Sequence, residues 1–288
     1  TYAIFQIGKV LRAKEDYEGM IHHFSEYVDN PDFPEKTRIG EAIREISWAM
    51  QQLDRNDLAL PLILRTVTSS AGDSRSGEFI ALLQMLESSR ARFEQSMEHP
   101  EDALDSSVAA FLSASSFTQW LDEQTTSAAD NGNWLGFGRF LLYGVMKARR
   151  AGDNGQAEAI LHRIAHQVAP EFMDDQLLGE TGLSLCVLAP TLARDRLTLL
   201  LALFPHSPHK GLAYAGLARL AAQDNRPEEA LVWIQRFQRE HPAHPHTPDM
   251  HLLAGDTLQA LGRWSEAEAS YETLLRLKNA RGLPHVKA

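Results

Sequence analysis

Apolar residues recur along this chain at i, i+3, i+4 and i+7 almost without interruption, while runs alternating apolar with polar residues are scarce. The pattern predicts an all-α fold whose helices come in pairs joined by short polar turns. Tyr2–Ala13 and Tyr17–Val28 flank Lys14-Glu15-Asp16; Glu35–Leu53 and Asp57–Thr68 flank the turn at Asp54-Arg55-Asn56; His209–Gln223 and Pro227–Glu240 flank Asp224-Asn225-Arg226. Near the end, a helix from Pro248 to about Leu261 turns at Gly262-Arg263 into one capped by Ser265 and reaching Lys278. Trp134–Arg150 with Gln156–Val168 makes another pair, and Asp175–Leu188 with Pro190–Phe204 a short one, Pro190 taking a first-turn position. Between Ser76 and Ala129 the register is lost: Gly77–Met97 reads as one long helix, Glu101–Ala114 follows His99-Pro100, and Thr118–Ala129 is an extra helix. The expected total is seven pairs. Ser69–Ser76 and Ser127–Asn133, rich in Ser, Gly, Asp and Asn, are the expected loops.

One spacing returns inside the pairs: a small residue, an apolar residue at +3, Ala at +12, an aromatic at +16 and an apolar residue at +19, as in Gly255, Leu258, Ala267, Tyr271 and Leu274. Gly8, Leu11, Met20, Phe24 and Tyr27 repeat it, and Ala218, Ala221, Ala230, Ile234 and Phe237 do so with smaller residues. Weaker copies are Ser47, Met50, Ala59 and Ile63, and Val145, Ala148, Ala157, Leu161 and Ile164. Two helices of a hairpin cross closely where the small residue sits, so a larger side chain there costs on the order of 1–3 kcal/mol. The +16 aromatic is expected to fill the gap to the following unit.

This pattern resembles the tetratricopeptide repeat (TPR), a helix-turn-helix unit of ~34 residues, and Pro242 falls where such a repeat ends. It is most complete over 248–279, present over 1–32 and 211–242, and partial over 40–73 and 138–170; His251 stands where a large apolar residue is usual, and Met20 replaces the common Ala. The resemblance implies a right-handed superhelix, an α-solenoid of about seven antiparallel hairpins in a single elongated domain over 1–288. Within it, 1–70 and 209–279 are regular, 134–204 divergent and 76–133 irregular. The linkers Asn30–Glu35 and Ala243–Thr247, with prolines near each boundary, are similar to those of a longer-spaced variant in exported bacterial proteins. The expected compartment is the periplasm or cell envelope, with the cytoplasm as the alternative.

The resemblance also implies a partner-binding concave surface lined by the first helix of each pair. Carried over by phase, its residues are Tyr2, Phe5, Lys9 and Arg12, then Arg44, Trp48 and Gln51, then Arg139, Leu142, Met146 and Arg149, and finally Arg219, Asp256 and Gln259. Arginine and aromatic residues are the types that form hot spots and capture carboxylates; the plain alternative is solvated cations whose stems cover apolar surface. The expected function is a non-enzymatic scaffold holding a protein or peptide segment, with a spacer inside a larger protein as one alternative.

Histidine supplies the other. His241, His244, His246 and His251 lie close to Asp249, with His206 and His209 nearby, which is metal-ligand chemistry. Their spacing fits no standard zinc arrangement, and Pro242, Pro245 and Pro248 hold the path extended. His162 and His166 share a helix face, but Arg163 stands in place of the glutamate base of a metalloprotease motif. No phosphate loop follows Gly136-Phe137-Gly138, and no nucleophile elbow is present, so no catalytic residue and no cofactor are expected.

Composition sets the outer bounds. At 288 residues and 44% hydrophobic, the chain exceeds the ~250 residues that one core usually organises. Its 28 basic and 38 acidic residues give a net charge of -10, which argues against a nucleic-acid partner. The single Cys186 cannot form an internal disulfide and reads as a buried small hydrophobe. Thr181–Ala193, the uncharged core of the most apolar region, is shorter than the ~20 residues of a membrane span. Tyr2–Leu11 lies inside a helical pattern, so the expectation is a section of a longer protein without a signal peptide. Tyr2, Ile4, Phe5 and Ile7 further suggest self-association through the N-terminal hairpin.

Overall fold

A computed structural model describes residues 2–30, 38–71, 78–96 and 106–280. All regular structure among them is helical. The α-helices are α1 (Tyr2–Ala13), α2 (Tyr17–Asp29), α3 (Ile39–Gln52), α4 (Asn56–Ser70), α5 (Phe79–Ser96), α6 (Ser106–Ser113), α7 (Phe117–Asp130) and α8 (Trp134–Arg150). They continue as α9 (Asn154–Gln167), α10 (Asp175–Ser184), α11 (Pro190–Leu203), α12 (Lys210–Gln223), α13 (Pro227–Glu240), α14 (Thr247–Ala260) and α15 (Trp264–Ala280), with a 3-10 turn at Pro170–Phe172. The packing divides the chain into two compact units, Thr1–Ile160 and Leu161–Ala288, the division falling within α9.

Six of the turns are built alike. Each places one residue in the left-handed region, at Glu15, Asp54, Gly132, Gly152, Asn225 and Gly262. The next amide then reaches back to a carbonyl in the preceding helix: Asp16 to Leu11 (3.0 Å), Arg55 to Met50 (2.9 Å), Asn133 to Ala128 (2.8 Å), Asp153 to Ala148, Arg226 to Ala221 and Arg263 to Leu258 (2.9 Å each). This is the Schellman closure, which satisfies the last carbonyls of one helix while reversing the chain. At the first of these turns the following helix is capped at once, the Gly19 amide donating to Asp16 at 2.9 Å, and Asn133 and Asp153 do the same for Gly136 and Gln156.

Within each unit the hairpins stack in a repeating way. In the first unit α1 pairs with α2 and α3 with α4, α2 packs on α3, α4 on α5, and the first helices α3 and α5 touch. In the second, α10/α11, α12/α13 and α14/α15 are the pairs, α11 packs on α12, α13 on α14, and α10, α12 and α14 form the row of first helices. These contacts and the fifteen α-helices among the described residues are those of stacked antiparallel hairpins.

Several details depart from the sequence reading. Phe24 and Tyr271 meet a glycine of their own hairpin. They lie against Gly8 and Gly255 so closely that a β-carbon at either glycine would overlap the ring. The glycine makes room for an aromatic, and where Ala218 replaces it the partner position is the smaller Ile234. Ser265 is no cap, since α15 already starts at Trp264. The loop expected at 127–133 is mostly α7, which runs to Asp130, and the helix expected to reach Leu188 ends at Ser184. α6 occupies 106–113, where Glu101–Ala114 was expected; its first residues, most of the Ser69–Ser76 loop and most of the linker Asn30–Glu35 lie outside the described residues. Ala243–Thr247 is described, and it forms a compact turn in which the Thr247 hydroxyl donates to the carbonyl of His244 at 2.7 Å.

Candidate partner-binding face

In the first unit the row of first helices carries most of the residues singled out by phase, and they are joined laterally. The Arg12 guanidinium stacks over the Trp48 ring at 3.9 Å and pairs with Glu45 of α3 at 3.1 Å. Tyr17 meets Trp48 edge-on from the other side, with ring centres 5.5 Å apart. Arg44 pairs with Glu45 at 3.3 Å and with Glu78 just ahead of α5. Gln51 donates to Ser89 of α5 at 2.7 Å and accepts from Arg92 at 3.1 Å. On the next pair of helices, the Tyr143 hydroxyl and the Lys147 ammonium both reach Glu87, at 2.6 and 2.7 Å. Burial and the Glu87 bond together push the Tyr143 hydroxyl well above its ordinary pKa, so it stays a donor.

Three members of the set lie in the core. Phe5 is 4% exposed and sits among Phe24, Tyr27 and the Arg38 guanidinium, so it belongs to the hairpin core. Arg139 is 3% exposed, donates to the Ala71 carbonyl at 3.2 Å and lies over the Phe79 ring. Leu142 is buried as well. Tyr2, Lys9 and Arg149 are exposed, and Met146 is half-buried. A step of one residue rotates a side chain by about 100° around a helix axis, so phase alone does not separate the exposed members of the set from the buried ones.

In the second unit Arg219 of α12 pairs with Asp249 of α14 at 3.2 Å, while Asp256 and Gln259 accept from the Tyr271 hydroxyl at 2.7 and 3.3 Å. Glu45, Glu87, Ser89, Arg92 and Lys147 went unnoticed in the sequence. A signal was present: Arg12 with Glu45 and Arg44 with Glu78 lie 33 and 34 residues apart, about one repeat.

The histidines cluster without forming a metal centre: among the described residues no group of three or more His, Cys, Asp or Glu is arranged to hold an ion. His244 packs edge-on against Phe237 and beside His241 and His246, and burial followed by those imidazoles and His209 lowers its pKa to about 4. His246 pairs with Asp249 at 3.0 Å, and His251 accepts at Nδ1 from the Gln238 side-chain amide at 3.3 Å. Cys186 is buried, directed at the carbonyls of Gly182 and Gly216, and burial raises its thiol to about 11. No described helix is long and apolar enough to cross a membrane.

The architecture is that of a tetratricopeptide-like helical repeat. No family model matches the chain, and no curated protein does. Among solved structures it is similar to the crystal structure of the P58(IPK) TPR domain, at 14% identity over 96% of this chain and 84% of that one, with a TM-score of 0.26. That score is too low to carry weight. The fold reading rests on the stacked hairpins and their common turn.

Proposed function

We propose that this protein is a non-enzymatic interaction scaffold that holds a segment of a partner protein on the face formed by α1, α3, α5 and α8. The observation that supports this is the lateral ladder around Trp48. An aromatic ring half-exposed between Arg12 and Tyr17, with Arg44, Gln51 and Arg92 fixed beside it, is a rigid surface with the residue types that dominate interface energetics. Arg12 and Arg44 are held by carboxylates and Arg92 by the Gln51 side-chain carbonyl, so a partner meets oriented guanidinium groups and gives up little entropy in ordering them. The partner segment expected there is acidic and carries an apolar or aromatic side chain that reaches Trp48.

The test is site-specific photocrosslinking from native extract, with the crosslinker at Gln51 or at Glu26 on the far side of the first hairpin. One protein recovered from Gln51 and absent from Glu26 supports the reading. Equal recovery from both positions, or none from Gln51, sinks it and leaves a spacer role.

A further inference from the structure

The geometry points to head-to-tail self-association, in which α1 of one copy docks on α15 of the next. Counting from the glycine at position 8, positions 3, 7 and 10 of a first helix are the ones buried in the array: Ala42, Ile46 and Ala49 in α3, Ala213, Leu217 and Leu220 in α12, and Met250, Ala254 and Thr257 in α14. In α1 the same positions hold Ala3, Ile7 and Val10, of which Ile7 is 49% and Val10 53% exposed. The complementary surface belongs to the second helix, at positions 17, 21 and 28. There α4 buries Asn56, Leu60 and Val67, and in α13 Leu231 is buried and Gln238 reaches across to His251 of α14. In α15 these positions are Trp264, 66% exposed, Glu268, and Leu275, 56% exposed.

The chain thus presents one half of its own internal junction on α1 and the other half on α15. Charge agrees: α1 carries the exposed Lys9 beside Val10 and no acid, whereas Glu268 and Glu272 line the α15 groove beside Trp264, Tyr271 and Leu275. Joining unlike faces is heterologous and has no built-in closure, so the product is a chain of copies and not a symmetric dimer.

Light scattering and sedimentation of the whole chain across a concentration series test this. Wild type is expected to rise beyond twice the 32.2 kDa of one copy. Ile7→Glu and Leu275→Lys should each be monomeric, and because both residues are half-exposed their melting temperatures should match wild type. Mixed together, the two variants should form a one-to-one dimer that grows no further, since each retains one intact face. A wild type that stays monomeric overturns the proposal, and so does a Leu275→Lys variant that still dimerises, which would mean symmetric α1 pairing or another occupant. Trp48→Ala should associate like wild type, so this result stands apart from that of the partner-binding face.

Discussion

Glu15, Asp54 and Asn225 occupy the left-handed region at φ of 59°, 58° and 57°, where Gly132, Gly152 and Gly262 serve the same turn elsewhere. The conformation costs a β-carbon-bearing residue roughly 1–2 kcal/mol, less for asparagine. Glu15→Gly should therefore stabilise the first unit by about 1 kcal/mol, and Asn225→Gly should gain less. Urea unfolding of both variants measures the ranking, and the reverse order would mean that Glu15 makes a compensating contact. Arg196 presents the opposite situation. It is 1% exposed, only its Nη2 finds an acceptor, the Ala165 carbonyl at 3.3 Å in the last turns of α9, and burial draws its pKa down to about 10. A buried cation this poorly satisfied is weak evidence for stability. Arg196→Met is expected to leave the unfolding free energy unchanged or raised, whereas a loss of more than about 2 kcal/mol would show that the guanidinium clamps the carboxyl end of α9.

At the scale of the element, the hairpin is set by a pair of positions sixteen residues apart. Gly255→Ala forces a methyl into the Tyr271 ring and should cost about 1–3 kcal/mol by overpacking. Adding Tyr271→Ile recreates the Ala218 and Ile234 pairing and should recover part of that loss in a double-mutant cycle; additive losses would show that the two positions do not meet. The junction of α13 with α14 carries a pH dependence. His241, His244 and His251 all have pKa values below the ordinary 6.5, first because of burial, with Lys210 disfavouring and Glu240 favouring charge on His241. The unfolded chain takes up these protons below about pH 6.5, and folded His244 does so only near 4. Stability from this cluster is complete above 6.5 and is lost as pH falls towards 4. The melting temperature should drop between pH 7.5 and 5, and His244→Gln should shrink the drop; an equal drop in the variant would place the effect elsewhere.

Over the whole molecule, what the sequence revealed and what it hid have a common physical origin. Helix pairs with short turns were legible because the 3.6-residue period and the small-to-aromatic spacing are local, and the bounds of α1, α8 and α13 came out as read. Around 106–133 the periodic signal is diluted by Ser, Asp and Asn, residues that serve caps and turns as readily as helix surfaces, so α7 looked like a loop at its end. For the proposed partner-binding face, helical phase named residues on the first helices and left the orientation of each side chain open. Phe5 and Arg139 turned inward because Arg38 and Ala71, distant in sequence, offered them a cover and an acceptor. Carboxylates such as Glu45 and Glu87 became visible as members of that face only once successive first helices were side by side.

The central claim is that the face around Trp48 binds a partner segment. The direct measurement is the Kd of a segment captured at that face, titrated against wild type and Trp48→Ala after both are shown to melt alike. Loss of a central aromatic anchor predicts a weakening of about 30-fold or more, the equivalent of ~2 kcal/mol. An unchanged Kd would contradict the account.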